Sequence, residues 1–154
     1  MMRVTGLGYE EFDEAALSVP DAGGLRLIPY FEGERTPNLP EATASLEGMT
    51  LSNCDRAHVA RATIEGLLAL MRVALDAVRA QGVAVERVLL VGGGARSSAV
   101  RALASEALGA TVEVPPPGEY VALGAAMQAA TVEVSPPAFP QVEDGSARAG
   151  ETNV

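Results

Sequence analysis

The sequence of 154 residues contains no lysine, and all eleven of its basic residues are arginine. Without lysine the chain cannot form a Walker-type phosphate loop, a lysine Schiff base or the strand lysine of a protein kinase. Twenty acidic residues give it a formal net charge of -9 at pH 7. An acidic chain with no basic stripe cannot neutralise phosphates along a strand, so we expect no nucleic-acid partner.

Cysteine and aromatic residues are also scarce. Cys54 is the only cysteine, tryptophan is absent, and aromatic residues make up 4% of the chain. A lone cysteine forms neither an internal disulfide nor a thiolate metal cluster, which favours a reducing cytoplasm. No apolar run approaches the roughly 20 residues of a membrane span, so we expect no membrane partner. With 48% hydrophobic residues, the core must be aliphatic and rich in alanine.

Apolar periodicity predicts a long helix followed by alternating strands and helices. Six side chains within residues 55–80 recur at helical spacing and are expected on one face of that helix: Ile64, Leu67, Leu68, Met71, Leu75 and Val78. Residues 87–91 predict a buried strand, 97–108 a helix closed by Gly109, and 111–114 another strand. Such alternation implies parallel strands joined by crossovers, so the predicted fold class is α/β.

The remaining patterns predict shorter elements and a tail. We expect a helix at 9–17, a strand at 25–31, an extended segment at 42–50 and a final helix at 121–131. From Val132 onward the chain is acidic and rich in proline, glycine and serine, which favours a linker or disorder. The sequence therefore predicts one partial domain over residues 1–131 and a disordered tail over residues 132–154.

The run Gly92-Gly93-Gly94-Ala95 lies between the predicted buried strand and the helix that follows it. Ligands of open α/β sheets bind at the carboxyl ends of the strands. Glycines let a ligand approach the backbone, and the free N–H groups of a helix N-terminus suit phosphate. Ser97 or Ser98 is expected to cap the helix or to donate a hydroxyl to the ligand. We therefore interpret the run as a ligand site.

One interpretation of the run is a Rossmann-type dinucleotide site. Gly92 and Gly94 fit the first two glycines of that fingerprint, and Glu113 follows about where a ribose-binding acid should stand. However, Ser97 replaces the third glycine, and only one βαβ unit is present. This alternative therefore has weaker support than the one that follows.

Four motifs in the right order resemble the C-terminal domain of the FGGY carbohydrate kinases, and most closely the xylulokinases. Residues 27–37 read LIPYFEGERTP, which is similar to the xylulokinase segment ending in GERTP. Residues 44–65 agree with every defined position of the family's C-terminal signature. Residues 92–95 are similar to its adenosine motif, and residues 122–126 to its second connecting helix. Together these motifs cover about residues 7–130.

The resemblance implies an incomplete C-terminal domain of the actin-like ATPase fold, in which two RNase H-like domains enclose ATP. Gly92, Gly93, Gly94 and Ala95 would then bind the adenosine and α-phosphate, and Ser98 would offer a polar group to the adenine. The implied cofactors are ATP and Mg²⁺. The implied partner is the N-terminal kinase domain of the same protein, and an unpaired sheet edge would permit a homodimer.

The resemblance also implies a reaction that this chain cannot complete alone. A longer parent protein would phosphorylate a ketose, converting D-xylulose to D-xylulose 5-phosphate with ATP. The family's Asp-x-Gly-Thr phosphate loop and its catalytic Asp have no counterpart in the sequence, so we expect no catalytic residue here and no activity from the chain alone. The alternative is a stand-alone binding or regulatory module that has lost the chemistry.

Two further residues have competing interpretations. Arg35 could stabilise charge near the phosphates or the interdomain cleft, or it could form a salt bridge with Glu34 that orders the turn before Pro37. His58 has no second histidine or cysteine cluster to form a metal site, so we expect a structural hydrogen bond in the first turn of the long helix. No dedicated metal site is expected.

Overall fold

The computed structural model describes residues 1–116 and 118–131; the predicted tail over residues 132–154 lies outside them. The described helices are α1 (Met2–Thr5), α2 (Tyr9–Leu17), α3 (Arg56–Arg79), α4 (Ser98–Leu108) and α5 (Tyr120–Thr131). The strands are β1 (Arg26–Ile28), β2 (Ser45–Glu47), β3 (Arg87–Leu89) and β4 (Thr111–Glu113). The chain divides into two units, Met1–Gly118 and Glu119–Val154, and α5 belongs to the second.

Helix α3 begins and ends close to its predicted bounds. The Asp55 carboxylate caps its N-terminus by accepting hydrogen bonds from the backbone N–H groups of Ala57 and His58, at 2.9 and 3.0 Å. This N-cap satisfies two of the N–H groups that the first turn of a helix leaves without intrahelical partners. Gly82, three residues after the last helical residue, has a positive φ of 81°.

The core of the first unit lies where α2, α3 and α4 meet. Four of its alanines are fully buried, and their small side chains let the helices approach closely: Ala16, Ala60, Ala99 and Ala104. Larger apolar side chains fill the space between them: Phe12, Ile64, Leu68, Val100 and Leu108. The structure thus confirms an aliphatic, alanine-rich core.

The predicted apolar face of α3 is buried only in part. Ile64 and Leu68 are in the core, whereas Leu67, Met71 and Val78 are 40%, 46% and 45% exposed. The periodicity predicted the helix correctly, but it did not show how much of the apolar face other elements cover. Within the described residues, α2, α4 and β1 pack against α3 and leave these three side chains at the surface.

The strands form two separate pairs. Strands β3 and β4 are parallel, with Val88 opposite Val112, and α4 is the crossover between them, as predicted. Strands β1 and β2 are antiparallel, with Leu27 opposite Leu46. All four strands are shorter than predicted. The prediction that β3 is buried was also wrong, because within the described residues it pairs only with β4 and its burial is incomplete.

Strand β1 lies directly against α3 at Gly66. A Cβ atom at position 66 would collide with the carbonyl oxygen of Leu27. A glycine inside a helix costs about 1 kcal/mol relative to alanine, so it is kept here because the strand backbone occupies the space. In the described part of the chain, no helix combines the length and apolar character that a membrane crossing requires.

Candidate functional site

The glycine loop, residues 92–96, follows the carboxyl end of β3. Leu90 extends the pairing beyond the strand, since its N–H donates to the carbonyl of Glu113 at 2.9 Å, and its side chain is buried. The chain then turns at Gly92 and forms a single 3₁₀ turn over Gly93–Arg96. The Ala95 side chain, only 8% exposed, packs into the core and fixes this turn against it.

Of the three glycines in the loop, only Gly92 is required by the conformation of the chain itself. Gly92 has a φ of 88°, a left-handed conformation that side chains rarely adopt. Gly93 and Gly94 have no positive φ, and a Cβ atom added to either would meet no described atom within 4 Å. Nothing in the described chain therefore excludes a side chain at positions 93 and 94. The open space above their backbone fits a ligand that lies against it.

The N-terminus of α4 immediately after the loop is occupied by a carboxylate from α2. Asp13 Oδ1 accepts a hydrogen bond from Ser97 Oγ at 2.6 Å, and Asp13 Oδ2 accepts one from the Ser98 N–H at 2.6 Å. Ser98 Oγ lies 3.2 Å from Oδ2. Ser97 is the N-cap, and its Oγ also accepts the N–H of Val100 at 3.0 Å. A carboxylate is favourable at a helix N-terminus because it opposes the macrodipole.

This arrangement corrects the expectation that the first turn of α4 is free for phosphate. The Ser98 and Val100 N–H groups already have acceptors, one of which carries a negative charge. Asp13 was missed by the sequence analysis because it precedes Ser97 by 84 residues and belongs to no recognisable motif. Ser98 itself remains exposed beside the loop, where its hydroxyl can reach a ligand.

The loop over residues 33–40 is ordered differently from the expected salt bridge. Glu34 Oε1 accepts the backbone N–H groups of Arg35 and Thr36, at 2.8 and 3.0 Å. Glu34 and Leu39 also exchange two backbone hydrogen bonds. Within the described residues, the Arg35 side chain makes no ion pair, so of the two interpretations of Arg35 the salt bridge with Glu34 was wrong. Glu34 orders the turn through backbone N–H groups and leaves the guanidinium available.

Two surface hollows lie near β1 and this loop. One, of about 370 Å³, is lined by residues of the segment 32–40, including Arg35. The other, of about 490 Å³, runs between residues 25–30 and the face of α3 that carries Glu65 and Gly66. No glycine-loop residue lines either hollow, so neither of these two hollows joins Arg35 to the glycine loop.

His58 has the expected structural role. Its Nδ1 lies 2.8 Å from Asp55 Oδ2, so the ring adds to the cap at the start of α3. The hydrogen bonds from His58 lower the pKa of Asp55 below its usual range. Among the described residues, no three histidine, cysteine or acidic side chains group together in a way that could hold a metal ion.

The fold belongs to a known class. The chain superposes on the crystal structure of xylulose kinase from Bifidobacterium adolescentis with a TM-score of 0.74 and 49% identity, over 84% of this chain and 26% of that one. It also superposes on Plasmodium falciparum glycerol kinase with ADP, with a TM-score of 0.71 over 81% of this chain and 25% of that one. The identity there is 22%, so that likeness shows the fold alone. The fold is that of the actin-like ATPases.

The sequence places the chain within one family of this class. Residues 5–132 match the profile of the FGGY family of carbohydrate kinases, C-terminal domain. The chain is 35% identical to the xylulose kinase of Haemophilus influenzae, over 84% of this chain and 26% of that protein. It is 34% identical to a glycerol kinase of Alkalilimnicola ehrlichii, over 81% of this chain and 26% of that protein. The chain therefore belongs to the FGGY family, and it spans about a quarter of the length of these relatives.

Proposed function

We propose that this chain contributes the adenosine side of an ATP-dependent sugar kinase whose substrate is a ketose. The proposed reaction converts D-xylulose to D-xylulose 5-phosphate. The choice of sugar is supported by the xylulose kinases at 35% and 49% identity, and it is weakened by the glycerol kinase at 34%. Sequence similarity therefore supports the phosphotransferase more strongly than the particular sugar.

The observation that carries the proposal is the open backbone of the glycine loop at the end of a parallel strand. We assign Gly92, Gly93, Gly94 and Ala95 to contacts with adenosine and the α-phosphate. Gly93 and Gly94 leave space that the described chain does not fill. Ser98 is assigned to a polar contact with the adenine because its hydroxyl is exposed next to the loop. The proposed contacts use backbone groups and a hydroxyl and therefore require no lysine.

The remaining parts of the reaction are assigned to other groups. ATP would bring Mg²⁺, which usually keeps several waters and binds the phosphates rather than a protein cage. The catalytic base and the phosphate loop would come from the N-terminal domain of a longer protein. Arg35 is proposed to approach the phosphates or the cleft between domains, which is supported by its lack of an ion pair within the described residues. We also propose a cytoplasmic location, supported by the single exposed thiol of Cys54.

The experiment uses the longer protein that carries this chain, assayed for ADP release with ATP, Mg²⁺ and each of D-xylulose, D-ribulose and glycerol. We expect the highest kcat/KM for D-xylulose. A preference for glycerol or D-ribulose would overturn the sugar assignment and leave the kinase assignment standing. If none of these sugars supports ADP release, the kinase assignment is wrong.

The 154-residue chain alone is the matched control for this assay. Because it lacks the proposed catalytic base, we expect it to release no ADP above the rate without protein. Calorimetric titration of the same chain with ADP and with NAD separates the remaining alternatives. Binding of ADP alone supports an adenosine site, whereas binding of NAD alone would support the dinucleotide interpretation.

A further inference from the structure

One edge of strand β3 pairs with nothing in the described part of the chain. On the side of β4, the Leu90 N–H donates to the Glu113 carbonyl at 2.9 Å, and the Glu86 carbonyl accepts the Thr111 N–H at 3.4 Å. Alternate residues of a strand direct their backbone groups to opposite edges, so the odd-numbered residues of 87–91 face away from β4. Within the described residues, their N–H and C=O groups have no hydrogen-bond partner.

The side chains along this edge are largely apolar and exposed. Leu90 belongs to the core, and successive strand residues point to opposite faces of a sheet. Leu89 and Val91 therefore lie on the other face, where they are 50% and 44% exposed. Arg87 is on the same face, and its guanidinium lies 3.5 Å from the Glu113 carboxylate, which balances its charge. The edge thus combines unpaired backbone groups with little net charge.

The outer edge of β4, on the other side of the same sheet, is protected and that of β3 is not. Proteins block sheet edges with proline, lysine or a bulge. On β4 the outward residues Val112 and Val114 are followed by Pro116, which has no N–H to donate. Residues 87–91 contain no proline, and the whole chain contains no lysine. A sheet of two strands is also marginal by itself, so the β3 edge is the one open to a further strand.

We propose that two copies of this chain associate by antiparallel pairing of their β3 strands across a two-fold axis at Leu89. The outward residues are symmetric about Leu89, so Leu89 pairs with itself and Arg87 with Val91 of the second copy, and each N–H meets a carbonyl. The two Leu89 side chains meet at the axis, whereas the two Arg87 side chains lie at opposite ends and are not opposed. The two-stranded sheets of both copies then form one four-stranded sheet.

This pairing uses no contact with a nucleotide or a sugar, so it can fail without affecting the proposed function. Sedimentation equilibrium of the 154-residue chain over a range of concentrations should show a reversible monomer–dimer equilibrium. Leu89→Lys places like charges directly opposite each other at the axis, so it should raise the dissociation constant of the dimer by about tenfold. Leu51→Lys, the same change at a side chain that is 99% exposed, should leave the constant unchanged. Thermal unfolding checks that each variant is folded.

A charge swap at the same position tests the register of the pairing. Leu89→Glu alone should weaken the dimer as Leu89→Lys does, because it also opposes like charges. In an equimolar mixture of the two variants, opposite charges meet across the axis, so mixed dimers should form with a dissociation constant within about threefold of that of the unmodified chain. A mixture of Leu51→Lys and Leu51→Glu should behave like the unmodified chain.

Three results would overturn this dimer. If the chain stays monomeric at every concentration, the edge is left to a strand of another protein or of the longer protein. If Leu89→Lys does not weaken the dimer, or mixing the two variants does not restore it, the copies meet elsewhere or in another register. Species larger than a dimer would also contradict it, because two-fold pairing closes after two copies.

Discussion

The two ends of helix α4 are both held by charged side chains from other helices, but in different ways. At the N-terminus the single carboxylate of Asp13 contacts Ser97 and Ser98. At the C-terminus the guanidinium groups of Arg72 and Arg79 donate to the last carbonyls, those of Ala107, Leu108 and Gly109, at 3.1–3.2 Å. At each end, the contacting side chains carry a charge opposite to the partial charge that the helix macrodipole places there.

The two ends of α4 differ in how many side chains from other helices bind them. Arg72 and Arg79 are both held by Asp76, at 2.9 and 3.0 Å, so the C-terminus is bound by a network of three side chains. Within the described residues, Asp13 is the one side chain from another helix that hydrogen-bonds to the N-terminus, where it supplements the helix's own Ser97 cap. The end that adjoins the glycine loop is therefore the one with less support, and loss of a single group there should have the larger effect.

The largest effect is expected from Asp13→Ala. The change removes the acceptor of the Ser98 N–H and of the Ser97 hydroxyl, and hydrogen bonds to charged groups contribute more than neutral ones. We expect a loss of about 2 kcal/mol in the free energy of unfolding, measured by urea denaturation. Glu14→Ala, at the exposed neighbouring position of α2, should change it by less than about 0.5 kcal/mol. Equal effects of the two substitutions would contradict the role assigned to Asp13.

A smaller effect is expected from Arg79→Ala at the other end. Arg79 makes three hydrogen bonds to the carbonyls of Leu108 and Gly109, whereas Arg72 makes one, to Ala107. We expect losses of about 1 kcal/mol for Arg79→Ala and about half as much for Arg72→Ala, by the same denaturation assay. A loss for Arg79→Ala above that for Asp13→Ala would reverse the comparison of the two ends.

The coupling between the two arginines sharpens the comparison. Because Asp76 orients both guanidinium groups, Asp76→Asn should weaken the C-terminal contacts without removing them. We expect a loss smaller than that of Arg79→Ala, and no further loss when Asp76→Asn is added to the Arg72→Ala, Arg79→Ala double variant. A double-mutant cycle measures this coupling. Full additivity would show that Asp76 acts on stability independently of the arginines.

The smallest effect is the dependence of stability on pH. Hydrogen bonds from Arg79 and Arg72 hold the pKa of Asp76 below its usual range. The Asp76 carboxylate therefore binds a proton more readily in the unfolded chain than in the folded one. The stability that Asp76 contributes is present above about pH 4, and it is lost as the pH falls further. Denaturation at pH 5 and pH 3 should show a smaller decrease for Asp76→Asn than for the unmodified chain. The pKa values of Asp55 and Glu47 are also lowered, so these two groups account for part of the pH dependence of stability that remains in Asp76→Asn.

Local patterns predicted the elements around the site. Helix α4 and the serine cap at residue 97 follow from periodicity and capping chemistry. The parallel pairing of β3 and β4 follows from the strand–helix–strand order. These features depend on residues near each other in sequence or on general rules of connection.

The features that were missed depend on which distant segments meet. Nothing in the sequence near Asp13 indicates that its carboxylate reaches Ser97 and Ser98. Periodicity likewise placed Leu67 and Met71 on an apolar face of α3 without showing whether another element covers them. A helical pattern defines faces, whereas the partner of each face is decided by tertiary packing.

The contact of Asp13 with α4 has a practical consequence for choosing where to cut this chain. A shortened version that begins after Leu17 would retain β1, the complete glycine loop and all of α4. It would nevertheless lose the Asp13 carboxylate, which binds the start of α4 directly after the glycine loop. It would also lose the Phe12 and Ala16 side chains that α2 contributes to the core. A shortened domain that keeps these contacts therefore has to include α2.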